Sequence, residues 1–271
     1  MILYKYYGHD AGKKALESRN LGFRKPKNFN DPFELSFLSN SGGPNSKQTE
    51  LKRVLDELRS TVAILSLTRA PSNPLMWAHY GQDHTGFVIG YDVSDSFLSS
   101  SDYNLIPVSA GDVVYTSTKS PHILDPTMMQ RIQNTFMSGL GALDQIRDPE
   151  TLSIARKIFL TKHASWVYEE EVRVVKVLDS LFQETSEFTA DKRRSYYSLT
   201  KEDSPGRSIE LVPGLSIFRF QLPIKEVYLG LRNKIPDDLN QIEPIEGAKF
   251  FRFEMDDRSW DLKAKKLEAR T

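Results

Sequence analysis

Residues 162–175 read KHASWVYEEEVRVV, three consecutive glutamates set directly against a β-branched run. β-branched side chains favour extended backbone, and side chains on a strand alternate between its faces. Glu169, Glu171, Arg173 and Val175 then share one face, and Glu170, Val172, Val174 and Lys176 the other. Both faces turn apolar along the run, so this strand must be covered on both sides. A chain that covers a strand twice needs layers and a sizeable core, for which 271 residues are ample. Glu171 and Arg173 stand where an exposed strand mouth gives way to that core. A carboxylate in such a place either pairs with a cation or has its pKa raised by burial and acidic neighbours. Same-face residues of one strand are about 7 Å apart, so a direct Glu171–Arg173 contact does not follow from spacing alone.

Other strand patterns flank this one at both ends of the chain. MILYKYYG opens it, TVAILSLT and TGFVIGYDV follow, DVVYT lies near 115, and LSIFRFQL, KEVYLGL and AKFFRFEM come late. DAGKKALESRNLG reads as a short helix stopped at Gly22. Residues 47–60 carry Leu51, Val54, Leu55 and Leu58 at helical spacing. Residues 125–165 read as mostly helical with a break at 147–149, and residues 191–208 as a polar, mobile loop. The expectation is a single α+β domain over 1–271 with a mixed or split central β-sheet, flanking helices and a helical insertion at about 120–165. A C-terminal tail at about 255–271 offers Trp260 and Leu262 as docking residues.

Composition removes several function classes. Thirty-six basic and thirty-six acidic residues cancel, so no overall field draws the chain to nucleic acid or membrane; a local basic patch at 191–197 keeps nucleic acid open. The absence of cysteine removes disulfides, thiol nucleophiles and thiolate metal sites. MILYKYYGHD is too short and polar for a signal peptide, and no apolar run approaches spanning length. A cytoplasmic protein without a membrane is expected.

Three further clusters carry candidate chemistry. MWAHYGQDHTG, residues 76–86, packs Trp77, His79, Tyr80 and His84 into eight positions. Its two histidines are five apart, which matches no helical metal pair, and no metal is expected. Trp77 and Tyr80 are either an aromatic anchor or the wall of a pocket for a planar ring. NFNDPFE, residues 28–34, places Asn30 and Asp31 in a turn whose side chains cap nearby amides. On the first strand Tyr4 and Tyr6 face one way, Lys5 and Tyr7 the other. No P-loop, dinucleotide glycine fingerprint or serine elbow is present.

Taken in order, YKYYG, FNDPFE, LSLT, MWAHYGQDHTGFVIGYD and the later K…W.YEEEVR with its Trp166 resemble a bacterial family, domain of unknown function 2971, over roughly residues 1–235. More remotely the pattern is similar to ADP-ribosyltransferases, α+β proteins whose split sheet binds NAD. That resemblance implies Lys5, or Tyr4 and Tyr6, at the first-strand position, Ser66 or Tyr80 at the middle one, and Glu169 or Glu171 on the late strand. The first position departs from the arginine or histidine usual there. Carried further, it implies Glu171 beside a ribose with oxocarbenium character and Glu169 positioning the acceptor. Trp77 or Tyr80 would stack on nicotinamide, and Lys5 or Arg173 would meet pyrophosphate. The expected function is NAD consumption by an ADP-ribosyltransferase-like enzyme of the toxin or phage-defence kind. Two alternatives stand beside it: a metal-independent hydrolase or nuclease using His79 with the glutamates, and a non-catalytic sensor that binds a nucleotide, another small molecule or a partner chain.

Overall fold

A computed structural model describes residues 1–35, 59–119, 149–178, 192–204 and 207–268, with a few positions between them. Among these residues ten strands form one sheet. In chain order they are β1 (Ile2–Tyr7), β2 (Asn20–Arg24), β3 (Val62–Thr68), β4 (Phe87–Asp92), β5 (Glu171–Val177), β6 (Tyr196–Tyr197), β7 (Leu215–Gln221), β8 (Ile224–Leu229), β9 (Lys249–Met255) and β10 (Leu262–Leu267). Nine of them run in the order β6–β7–β2–β3–β1–β4–β8–β9–β10, and β5 pairs with β3 outside that path. Only β8 and β9 pair in parallel; the other neighbours are antiparallel. The fold is α+β with a mixed sheet.

The pairing around β3 decides where a site can form. A strand has two edges, and β5 takes one of them along its whole length, from Val62 opposite Val177 to Thr68 opposite Glu171. β1 and β2 must therefore share the other edge, β2 at Ile64 through Arg24 and β1 at Thr68 through Tyr4. Those two contacts lie four residues apart, about 13 Å along the strand. Between them β1 and β2 diverge and the sheet is split. At the split the backbone carbonyl of Ser66 accepts a hydrogen bond from Lys5 Nζ at 3.4 Å.

β5 is covered on both sides, as its sequence demands. Val172 and Val174 join a core with Leu21, Phe23, Leu65, Phe87 and Ile89, which also takes in Leu16 of helix α1 (His9–Ser18). Val175 and Val177 join a second core with Ile64, Ile154, Ile158 and Phe159. The short helix α2 (Pro74–His79) carries Met76 and Trp77, α3 (Ser96–Ser99) joins the first core through Phe97 and Leu98, and α4 (Pro149–Leu160) lays its apolar stripe on the second core. A third cluster joins Tyr6, Met76, Trp77, Val88, Tyr228 and Phe253.

Several expectations are corrected. Helix α1 ends at Ser18, where Arg19 adopts a left-handed conformation and its N–H closes on the Ala15 carbonyl; Gly22 lies inside β2. Residues 191–208 are not simply a loop: β6 pairs with β7, and a hairpin joins Thr200–Ser204 to Arg207–Glu210. Of the helical insertion, Pro149–Leu160 is helical, but Thr161–His163 is a strand and Ala164–Glu169 a 3₁₀ helix. Most of 120–148 and of the helix expected at 47–60 lies outside the described residues. The tail supplies edge strand β10, in which Leu262 docks while Trp260 stays fully exposed. Among the described residues no helix is long and apolar enough to cross a membrane.

Candidate functional site

A cleft of about 690 Å³ opens at the split between β1 and β2. Tyr4, Lys5, Tyr6 and Tyr7 reach it from β1, Asn20, Gly22 and Arg24 from β2, Ser66 and Thr68 from β3, and Glu171 and Arg173 from β5. The alternation of β2 explains its share. Leu21 and Phe23 are fully buried in the core, so the small and polar residues between them turn to the other side.

The acidic end of the cleft is built around Arg173. All five guanidinium donors are engaged: Nε with Glu171 Oε1 (2.8 Å), Nη2 with Glu171 Oε2 (3.0 Å) and Glu34 Oε1 (2.5 Å), and Nη1 with Glu34 Oε2 (3.0 Å) and the Phe159 carbonyl (2.7 Å). Lys162 Nζ lies 2.5 Å from Glu169 Oε2 and 3.1 Å from Glu171 Oε2, and its ammonium sits 5.0 Å from the Trp166 ring centroid. Tyr80 donates its hydroxyl to Glu169 Oε1 at 2.7 Å, and Asn30 Nδ2 reaches the Tyr80 oxygen at 3.5 Å. Three carboxylates and two cations, all buried, thus share one hydrogen-bonded network.

Local sequence chemistry delivers each member. Asn73 caps α2 by accepting from the amides of Leu75 and Met76, Pro74 occupies the first turn, and Asn73 Nδ2 donates to the Tyr168 carbonyl. That bond ties the N-terminal end of α2 to the turn carrying Glu169, while Tyr80 at the other end of the helix reaches the same carboxylate. Asp31 accepts from the Phe33 amide and turns the chain so that Glu34 faces Arg173. Glu170 is exposed and left-handed at φ 44, a kink costly for a residue with a Cβ. It ends the 3₁₀ helix and starts β5, which lets Glu169 and Glu171 both reach Lys162. The triple glutamate is therefore one turning residue between two working ones.

The network drives the two carboxylates apart. Burial alone would push Glu171 up, but Arg173 and Lys162 outweigh it and hold its pKa down to about 2. Burial pushes Glu169 up, with the Glu171 charge adding and Lys162 opposing. Burial would lower Lys162, yet the charges of Glu171 and Glu169 leave it raised. Lys5 is brought down to about 8 by burial, against the pull of Glu171. One carboxylate fixed as an anion beside another nearer neutrality is an arrangement suited to separate electrostatic and acid–base roles.

The structure thus gathers Tyr4, Lys5, Tyr6, Asn30, Ser66, Tyr80, Glu169, Glu171 and Arg173 around one cleft. It places the rest elsewhere. Trp77 has no exposed surface; it packs on Tyr6 and Phe253 and donates Nε1 to the Pro71 carbonyl, so it is an anchor and not a stacking wall. His84 lies parallel to the Trp77 ring at 6.1 Å. His79 is exposed at the end of α2 against Tyr168, because Met76 and Trp77 take the buried face of that helix. Asp31 is a turn former, and Trp166 meets the site through Lys162. Arg173 has no donor left for a ligand. Glu34, Lys162, Lys14, Arg24 and Tyr115, whose hydroxyl accepts from the Glu171 amide at 2.9 Å, were not singled out by sequence reasoning. Lys162 was findable, since it shares the quoted stretch with the glutamates. Among the described residues no group of His, Asp and Glu is arranged to hold a metal.

Fold and site define an α+β protein with an ion-paired carboxylate cluster at the split of its sheet. The model of a family described as protein of unknown function (DUF2971) matches residues 76–174 of the chain. The match runs from α2 to β5 and includes Tyr80, Lys162, Glu169, Glu171 and Arg173. No curated protein and no solved structure matches the chain.

Proposed function

We propose that the cleft is the active site of an NAD-consuming enzyme similar to ADP-ribosyltransferases. One observation carries this reading: Lys5 of β1, Ser66 of β3 and Glu171 of β5, far apart in sequence, line a single cleft where the sheet divides. The reaction breaks the bond between ribose C1′ and the nicotinamide nitrogen, and nicotinamide leaves with the electron pair. Glu171, held ionised by its two cations, faces the positive charge that develops on the ribose. An acceptor hydroxyl then bonds to C1′ and gives its proton to Glu169, whose raised pKa suits a general base. Tyr80 and Lys162 orient that carboxylate, and the tyrosines of β1 supply the aromatic wall once assigned to Trp77.

Nicotinamide release from NAD tests this. The wild-type protein releases nicotinamide, and Glu169→Gln lowers kcat by roughly a hundredfold or more while the fold is retained. No release by the wild type, or full activity in the variant, sinks the reading. If the acceptor is a macromolecule its host needs, expression is toxic and the same substitution relieves it. His79 lies outside the cleft, so the hydrolase or nuclease alternative, which joined it to the glutamates, lacks a shared site. The complete internal pairing of Arg173 favours a second reading, a nucleotide-binding sensor whose ion network is scaffold. Its mark is a rise in melting temperature with NAD and no product.

A further inference from the structure

The cleft is not electrically neutral, although the chain is. Lys5, Lys14, Arg24, Lys162 and Arg173 line it against Glu34, Glu169 and Glu171, while lysine plus arginine equals aspartate plus glutamate over the whole sequence. The five cations divide by position and partner. Lys162 and Arg173 are consumed by the carboxylates at one end. Lys14 and Arg24 belong to the end formed by α1 and β2, and Lys5 of β1 stands between them and Glu171; among the described residues none of the three has a carboxylate within ion-pair distance, and Lys5 donates to the Ser66 carbonyl.

The walls at this end are cut back to make room. The face that α1 turns to the cleft is Ala11, Lys14, Ala15 and Ser18, at spacings of three and four that align them on one side of the helix. Three of those side chains are small and one is a long cation. β2 repeats the pattern at strand spacing, with Asn20 and Gly22 beside Arg24. Small residues framing three cations that have no carboxylate partner among the described residues, from three separate elements, leave space for a compact, multiply charged anion. Arg24 offers a planar fork for paired oxygens, and the half-buried Lys5 is less screened by salt than a surface lysine.

We propose that Lys5, Lys14 and Arg24 form a subsite for the diphosphate of a nucleotide, which fixes the direction in which a ligand lies. The diphosphate sits at the α1–β2 end and the remainder points toward Glu169. This deepens the NAD reading by naming the groups that hold the phosphates, but the subsite rests on charge and shape and survives without the chemistry.

Calorimetric titration with pyrophosphate, ADP and adenosine, on the wild-type chain and on Lys14→Ala and Arg24→Ala, provides the test. Both side chains are exposed, so the variants fold, and Arg232→Ala, a cation outside the cleft, is the control. ADP and pyrophosphate bind with salt-dependent affinity, adenosine binds far more weakly, and each cleft variant weakens ADP by about tenfold or more, as loss of a charge-assisted hydrogen bond does. Arg232→Ala binds as the wild type. Equal binding of ADP and adenosine, no binding of ADP, or unchanged affinity in both cleft variants overturns the proposal. ADP binding through these cations without nicotinamide release leaves the subsite standing and removes only the NAD-cleaving reaction.

Discussion

Arg173 is the residue on which the acidic end depends. Two carboxylates and a main-chain carbonyl are satisfied by one guanidinium with no exposed surface. Its removal strands Glu34 and Glu171 in a desolvated place. Arg173→Met should therefore cost about 3–5 kcal/mol in urea unfolding, the range for breaking a buried pair from one side. The pH dependence follows from Glu171. Its folded pKa, about 2, lies below the ordinary value of 4.5, so its contribution is complete above about 4.5 and is lost as pH falls toward 2. In Arg173→Met that pKa rises toward the unfolded value, so the stability lost on acidification between about 4.5 and 2 should shrink. A cost under about 1 kcal/mol, with an unchanged acid limb, contradicts this account.

At the level of elements, α2 shows how a functional stretch divides its duties. Met76 and Trp77 face inward and hold the helix on the sheet, whereas Tyr80 at its C-terminal end reaches Glu169. Gly86, where the chain enters β4, has no room for a side chain: a Cβ there would lie 2.0 Å from the Tyr7 carbonyl oxygen. Trp77→Ala should cost about 3–5 kcal/mol by opening a cavity, and the surviving folded fraction should bind ADP as tightly as the wild type. Weaker binding out of proportion to unfolding would return Trp77 to the ligand site. The sequence motif could not separate these roles, because tryptophan and tyrosine at helical spacing mark an anchor as readily as a pocket wall.

Across the whole molecule, what was legible follows from periodicity, and what was not follows from long-range pairing. The β-branched run at 172–177 announced a strand covered twice, and two cores do cover it. The α+β class followed from strands at both ends of the chain. The convergence of Lys5, Ser66 and Glu171 was anticipated only through the resemblance, since no local pattern tells which strands share an edge of β3. The Glu171–Arg173 contact defied simple strand spacing because both side chains are long enough to lean together, at 2.8 Å. Glu34 was hidden for a related reason: NFNDPFE reads as turn chemistry, which it is, and the glutamate it delivers meets an arginine 139 positions away. Arg24 and Lys14 carry no local signal in the sequence, and only the split places them on one cleft.

On the proposal made above, the split holds one ligand across β1, β2, β3 and β5. The most direct measurement is a crystal structure of Glu169→Gln grown with NAD. Density for the diphosphate is expected beside Lys5, Lys14 and Arg24, with the nicotinamide ribose facing residue 169 and Glu171. NAD bound outside the cleft, or in it with the diphosphate against the glutamates, would contradict it.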